Sequence, residues 1–211
     1  MGDALNMGLM SEADQERIAR AITAAESKTS GEIVAIIAAD SSSYLYAPFL
    51  WAAVLALLVP WPLIYFTWVS MQWIYLIQLG VFVGLLAVLM ARRVRHALVP
   101  PSVKRSRAHR RAVEQFLAQN LHTTTGRTGV LIFVSVAERY AEIIADSAIE
   151  ARVPKGTWQT IVDDLTRHIT SGRASDGFVS AIEAVGSHLA QHFPPGSRDE
   201  NELADHLIVL P

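Results

Sequence analysis

The chain has 211 residues, of which 20 are acidic and 18 are basic, and it contains no cysteine. The absence of cysteine excludes a disulfide-stabilised scaffold and any thiol chemistry. An apolar content of 51% with a net charge of −2 excludes a disordered chain. The mean hydropathy of +0.28 indicates that apolar residues are concentrated in one part of the chain.

The charged side chains are distributed very unevenly. Residues 1–40 carry seven acids and three bases, and residues 129–211 carry twelve acids and six bases. Residues 92–128 carry nine bases and one acid, whereas the 51 residues from 41 to 91 carry no Asp, Glu, Lys or Arg. Such a long uncharged segment predicts that the chain enters a membrane.

The first predicted elements precede the uncharged segment. Ser11-Glu12-Ala13-Asp14 resembles a capping box and predicts the start of a helix that reaches about Ser27. Residues 32–39 (EIVAIIAA) are short, rich in β-branched residues and almost continuously apolar. This pattern is typical of a strand that is buried on both faces.

Residues 44–91 are predicted to form a transmembrane helical hairpin, with helices at about 47–69 and 71–91. A spanning helix needs about 20 apolar residues, so the segment holds two spans and a short turn. Pro60 and Pro62 are expected to kink the first helix without ending it. Two alternatives are less favoured. A buried helical hairpin of a soluble protein would be an extreme core with 51 uncharged residues, and a single membrane span would leave much of this segment unused.

The basic residues after the hairpin predict its orientation. Positive charge near the ends of spans favours the cytoplasmic side, and the loop of the hairpin carries no charge. Both termini are therefore expected in the cytoplasm, in a multi-pass protein of the inner membrane, and residues 1–10 show no cleavable signal peptide. The basic residues are Arg92, Arg93, Arg95, Lys104, Arg105, Arg107, Arg110 and Arg111.

The remaining elements follow Pro100-Pro101. We predict a basic helix over 102–121, strands over 130–136 and 141–145 that form a hairpin, a helix from about Pro154 to Ser171, and a helix from about Ser175 or Asp176 to His192. A helix separates the first two strands, which predicts that they are parallel. The tail, residues 201–211, ends in an apolar LIVL sequence and is expected to be a docking strand or an extended segment.

These elements predict the α/β class, as a three-layer α/β/α sandwich with a small mixed sheet that a two-helix transmembrane hairpin interrupts. The sandwich is expected to be one split domain formed by residues 1–43 and 92–200. The hairpin leaves from the end of the first strand. In open α/β folds ligands bind at this carboxyl-terminal edge of the sheet.

Carboxylates follow three predicted strands and are the candidate catalytic residues. Asp40 ends the first strand, Glu138 the second and Asp146 the third. Such groups can bind a divalent cation, calcium or magnesium, or act as general acid and base. For a metal site the candidates are Asp40 and Asp146, with Asp164 in a supporting position. The antiparallel third strand would separate Asp146 from the others, and Asp is also common in turns and helix caps.

The basic cluster predicts contact with membrane lipids. Basic side chains beside a span attract anionic lipid by about 1 kcal/mol each. This explanation is favoured over a nucleic-acid interface because of the position of the cluster next to the apolar segment. The predicted lipid-binding residues are Lys104, Arg105, Arg107, Arg110 and Arg111.

The order of several short motifs resembles the TPM domain family. The motifs are Thr29-Ser30-Gly31-Glu32-Ile33-Val34, residues 129–136, Glu138-Arg139 with Ile143-Ile144-Ala145-Asp146, Trp158 and Gly172. The resemblance covers about residues 11–40 and 105–195. It is to the bacterial, membrane-anchored branch, in which a transmembrane hairpin interrupts the domain.

The resemblance implies an α/β/α fold and two kinds of function. Some members are acid phosphatases or bind a divalent ion, and others are accessory proteins of membrane complexes. This chain has Ala145-Asp146-Ser147 where many members have a Gly-x-Gly turn, and Gly156-Thr157-Trp158 where many have an acidic residue. Both differences fall where the family's acid or metal chemistry is expected.

We therefore predict an accessory or regulatory protein that acts on another membrane protein or complex. A metal-assisted phosphatase and a structural protein that binds anionic lipid are the alternatives.

Overall fold

The computed structural model describes residues 10–41, 46–91, 94, 99–195 and 202–210. These residues form two compact units. One comprises Met1–Ser41 and Arg105–Pro211, and we call it the α/β unit; the other comprises Ser42–Lys104, and we call it the apolar unit. Arg92, Arg93 and Arg95 of the predicted basic cluster lie outside the described residues.

The described elements are helices and four strands. The helices are α1 (Glu12–Glu26), α2 (Tyr46–Leu58), α3 (Pro60–Phe66), α4 (Met71–Leu89), α5 (Pro101–Ala118), α6 (Ser147–Glu150), α7 (Thr157–Thr170) and α8 (Ala174–His192), with a 3-10 turn at Leu121–Thr123. The strands are β1 (Glu32–Ala38), β2 (Gly129–Ser135), β3 (Tyr140–Ala145) and β4 (Leu207–Leu210).

The α/β unit contains a four-stranded mixed sheet in the order β3-β2-β1-β4. β1 is parallel to β2 and to β4, while β3 is antiparallel to β2. The parallel pairing of the first two strands and the β2–β3 hairpin confirm the sequence prediction. The LIVL sequence of the tail is a docking strand, which extends the sheet beside β1.

Helices cover both faces of the sheet and confirm the three-layer α/β/α sandwich. On one face, α1, α7 and α8 supply buried residues such as Ile18, Leu165 and Phe178 to the larger core. On the other face, α5 supplies Ala112 and Phe116. β1 and β2 are buried along their whole length, which explains their continuous apolar sequences.

The helix boundaries show where local sequence signals succeed and fail. Ser11 is the N-cap of α1, and its side chain accepts a hydrogen bond from the Asp14 main-chain N–H, as the capping box predicts. The helix expected from Pro154 begins three residues later, at Thr157, after Gly156 with a φ of 92°. The short helix α6 is missing from the sequence prediction.

The apolar unit contains two segments that are long and apolar enough to cross a membrane, by length and composition. They are Tyr46–Phe66, which comprises α2 and α3, and Met71–Leu89, which is α4. Pro60 has no N–H to donate, and Val59 alone separates α2 from α3. The two segments are 11% and 6% buried, whereas the core helix of a soluble protein is mostly buried.

Candidate functional site

Glu138 organises the carboxyl-terminal edge of β1 and β2. Its two carboxylate oxygens each lie 3.2 Å from the main-chain N–H of Ser41, which donates to them. The Ser135 hydroxyl also donates a short hydrogen bond to Glu138, and the Ser41 hydroxyl donates to the Ser135 oxygen at 2.8 Å. The carboxylate therefore joins the end of β1 to the turn that follows β2.

Asp40 lies at the same edge, directly before Ser41. The main-chain N–H of Ala137 donates to the Ala39 carbonyl oxygen at 3.1 Å, so the two chain segments remain paired up to this point. Asp40 is half-buried. The structure thus brings Asp40 and Glu138 to one edge of the sheet, as the parallel arrangement of their strands requires.

Asp146 lies at the opposite edge. Its main-chain N–H donates to the Gly129 carbonyl oxygen at 2.9 Å, beside the first residue of β2. Its Oδ1 caps α6 by accepting from the Ser147 N–H at 2.6 Å. The side chain is buried and its Oδ2 has no hydrogen-bond partner among the described residues. Asp146 therefore has the helix-capping role that is common for Asp in turns.

Asp164 lies on α7 and contributes to helix packing. It accepts from the Arg167 guanidinium at 2.8 Å and from the Ser180 hydroxyl of α8 at 3.3 Å. Asp40, Asp146 and Asp164 are therefore not brought together. Within the described part of the chain, no three His, Asp or Glu side chains are placed where they could hold one metal ion.

A cleft of about 330 Å3 opens beside the carboxyl-terminal edge of β2. Ser135, Arg139 and Tyr140 line one side, and Thr166 and Thr170 of α7 line the other. Arg139 has a φ of 51°, an uncommon left-handed conformation for a residue other than glycine. The sequence motif Glu138-Arg139 marks this turn, but sequence analysis does not single out Arg139 as a site residue.

A second cleft of about 430 Å3 follows the outer side of β3. It contains Tyr140 and Glu142, which share a hydrogen bond of 3.0 Å between the phenol and the carboxylate. Burial raises the pKa of Tyr140 above its usual range, and the nearby Glu142 carboxylate raises it further. Glu142 also lies 2.9 Å from Nδ1 of His109 on α5.

A second group of carboxylates lies at the amino-terminal end of β1. Glu26 accepts from the Ile33 N–H at 2.7 Å, and Glu32 accepts from the Glu202 N–H at 3.1 Å. Burial raises the pKa of Glu26 to about 9, with smaller contributions from Asp205 and Glu32, and burial also raises the pKa of Glu32. Sequence reasoning missed this group because Glu202 and Asp205 lie far along the chain from Glu26 and Glu32.

The described basic residues of the predicted lipid-binding cluster occupy α5. Arg105, Arg107 and Arg110 are exposed, and Lys104 is half-buried. Arg111 lies 3.7 Å from Glu114. Arg105 also lines the cleft beside β3.

Comparisons with known proteins give a family match for the middle of the chain and a match of fold. Residues 92–188 match a family model described as the TPM domain. No curated protein matches the chain. The chain is similar to the NMR structure of the BA42 protein from the psychrophilic bacterium Bizionia argentinensis, with 20% identity, coverage of 95% of both chains and a TM-score of 0.60. At this identity the likeness shows the fold alone.

Residues 92–188 span α5, the β2–β3 hairpin, α6, α7 and most of α8. This part of the chain is similar to the TPM domain, as the order of its motifs predicts.

Proposed function

We propose that this chain is a membrane-anchored TPM-domain protein with an accessory role, in which the α/β unit binds or regulates another membrane protein. In this proposal the two apolar segments form the transmembrane hairpin that interrupts the domain. The chain crosses the inner membrane twice and keeps both termini in the cytoplasm. Four residues, 42–45, separate Ser41 from the first apolar helix.

The hydrogen bonding of Glu138 is the observation that carries the proposal. Its carboxylate is occupied by Ser41 and Ser135, where the chain leaves β1 towards the apolar helices. At the other edge, Oδ1 of Asp146 is occupied as a helix cap. Carboxylates that hold the fold in this way favour a binding unit over a metal-assisted catalyst.

Co-purification from native membranes tests the accessory role. The tagged full chain is expressed in its own organism, extracted in mild detergent and analysed for proteins recovered in a fixed ratio to it. We expect at least one membrane protein to be recovered in this way. Repeated isolation of the chain alone would contradict the proposal.

A variant with a disturbed α/β unit provides the matched control. A Cβ at Gly129 would lie 2.5 Å from the Leu121 carbonyl oxygen, so Gly129→Val should disrupt the sheet while the apolar segments remain unchanged. The partner should be lost from this variant. A protein recovered equally with both forms is bound through the apolar segments or the detergent micelle, and it does not support the proposal.

A phosphatase is the second candidate, and the cleft beside Arg139 favours it. Asp40 and Glu138 lie at the same carboxyl-terminal edge of the sheet, although neither lines this cleft, and the Arg139 guanidinium that does line it suits a phosphate oxygen. The family model that matches residues 92–188 carries the name TPM phosphatase.

Hydrolysis of p-nitrophenyl phosphate, with and without Mg²⁺ or Ca²⁺, tests this second candidate. Because Asp40 and Asp146 lie at opposite edges, a single site at the Arg139 cleft requires that Asp40→Asn abolishes turnover and that Asp146→Asn does not. Equal activity in both variants and the unaltered chain would indicate a contaminating enzyme. Absence of turnover under every cation condition would leave the accessory role.

A further inference from the structure

The sheet ends in two edge strands, β3 and β4. Among the described residues, β3 pairs only with β2, and β4 pairs only with β1. We call the unpaired side of β3 the open edge, because a cleft follows it. A strand at the end of a sheet presents main-chain N–H and C=O groups that another extended segment can bind.

The register shows which groups of β3 point away from β2. In an antiparallel pair, opposite residues alternate between those that exchange hydrogen bonds and those that do not. The Asp146 N–H donates to the Gly129 carbonyl oxygen, so these opposite residues form a hydrogen-bonded pair. Every second residue of β3, namely Ile144, Glu142 and Tyr140, therefore also forms a hydrogen-bonded pair with β2. The main-chain groups of Ala141 and Ile143 consequently point to the open edge.

The cleft of about 430 Å3 runs along this edge. It is lined by four consecutive residues of β3, Tyr140 to Ile143. Successive side chains of a strand point to opposite faces, so a cleft that touches four in a row follows the edge of the strand. Arg105 of α5 lines one wall, and Trp158 and Val162 of α7 line the other.

The cleft contains two carboxylates and two guanidinium groups, which differ in their partners. Glu142 lies within hydrogen-bond distance of His109 and Tyr140, and Asp163 accepts from the Gln159 amide at 2.8 Å. Arg105 and Arg139 also line the cleft, and no described carboxylate forms an ion pair with either of them. The acidic groups of the cleft are thus satisfied locally, whereas its guanidinium groups are exposed.

The apolar part of the cleft lies farther along β3. Arg139 and Thr166 line both the cleft of about 430 Å3 and the cleft of about 330 Å3. Thr170 lines only the cleft of about 330 Å3. Trp158 and Ile143 line only the larger cleft. The open edge therefore has a basic end at the start of β3 and an aromatic, apolar end near Ile143.

We propose that the open edge of β3 binds an extended segment of a partner protein, which pairs with the main chain of Ala141 and Ile143 and places an acidic side chain against Arg105 and Arg139. Apolar side chains of the segment contact Trp158 and Val162. The proposal rests on the accessory role and specifies the chemistry of the partner.

A phage-displayed library of random decapeptides provides the probe. It is selected on the full chain held in nanodiscs of phosphatidylcholine, which carry no net charge. We expect enriched peptides with an acidic residue near one end and β-branched or aromatic residues at alternate positions. Failure to enrich any peptide over empty nanodiscs would overturn the proposal.

Two variants test the contact in different ways. Ala141→Pro removes one outward N–H and keeps the pairing of β3 with β2, because proline is tolerated where the N–H of an edge strand faces out. We expect it to weaken binding of the selected peptides at least tenfold. Arg139→Glu should weaken binding of the acidic peptides by a similar factor. Arg20→Glu on α1 is the charge-matched control and should not change their binding.

Hydrogen exchange distinguishes strand addition from simple side-chain docking. On binding of a selected peptide, the amides of Ala141 and Ile143 should gain protection, while those of Glu142 and Ile144 should not change. Binding that leaves all four amides unchanged, or that persists in a folded Ala141→Pro variant, would overturn the proposal. A dimer of the full chain that Ala141→Pro abolishes would identify a second copy as the occupant and would also overturn it.

The co-purification experiment separates this proposal from the accessory role. If the native partner is recovered equally with Ala141→Pro and with the unaltered chain, the accessory role stands and the β3 edge is not its contact. If peptides bind at β3 but no membrane protein is recovered, the edge binds extended segments and the accessory role is wrong.

Discussion

Glu26→Gln should remove a pH dependence of stability from the α/β unit. The Glu26 carboxyl group is partly buried between α1 and β1 and lies close to Asp205 and Glu32, and its pKa is raised to about 9 from an ordinary value of 4.5. Glutamine keeps an oxygen that can accept from the Ile33 N–H. It also places an uncharged N–H₂ group where the second oxygen of Glu26 lies, which has no hydrogen-bond partner in the described part of the chain.

The sign and size of the effect follow from proton binding. Between pH 4.5 and 9 the folded state holds a proton on Glu26 that the unfolded state has released, so the free energy of unfolding falls as pH rises. One proton gives a slope of at most about 1.4 kcal/mol per pH unit. Glu26 is partly exposed to solvent, which narrows the pH interval over which this proton is released. We therefore expect the free energy of unfolding to fall by about 1 kcal/mol per pH unit between pH 6 and pH 8.

Pulse proteolysis in urea measures this slope on the full chain in mild detergent. The free energies of unfolding of the unaltered chain and of Glu26→Gln should diverge as pH rises, with the variant more stable at pH 8. Glu16→Gln provides the control, because Glu16 is exposed on the same helix. Parallel pH dependence in the unaltered chain and Glu26→Gln would refute the raised pKa and the buried, protonated state that it implies.

Three further changes have expected outcomes. Gly129→Ala should lower the free energy of unfolding by about 2 kcal/mol in the same assay, because its Cβ would lie 2.5 Å from the Leu121 carbonyl oxygen, and an unchanged value would contradict this close approach. Phe178→Ala should lower it by about 3–5 kcal/mol, because Phe178 is fully buried in the larger core; a loss below 1 kcal/mol would show that the site collapses. Arg110→Glu should reduce the phosphatidylglycerol retained on the purified chain, as counted by native mass spectrometry, because one exposed basic residue contributes about 1 kcal/mol of lipid attraction; equal retention would remove Arg110 from the lipid contact.

The sheet and the apolar segments could be predicted from sequence because each has a continuous apolar sequence. β1 and β2 are buried on both faces, so nearly every position is apolar and the strands are visible without alternation. The apolar segments are visible for a different reason: residues 41–91 contain no charged side chain, although the two helical segments are mostly exposed. The parallel pairing then followed from the intervening helix.

Elements that depend on tertiary contacts were less predictable. The start of α7 was misplaced because Pro154 is a common first-turn residue, whereas the helix begins after the left-handed Gly156. The site residues show the same limit. Sequence placed Asp40 and Glu138 at one edge, but the hydrogen bonds from Ser41 and Ser135 that occupy Glu138 join residues up to 97 positions apart.

Arg105 and Arg139 lie beside the open edge of β3. Both arginines line the cleft along this edge, together with Trp158. Charged residues beside an open edge also prevent sheets from joining, so the arginines have two candidate roles. If the two arginines only prevent the sheets of two molecules from joining, a double replacement of Arg105 and Arg139 by alanine should make the full chain associate in sedimentation velocity. If the arginines bind an acidic segment, the variant should stay monodisperse and lose binding of acidic peptides, which we expect because both arginines line the cleft along β3.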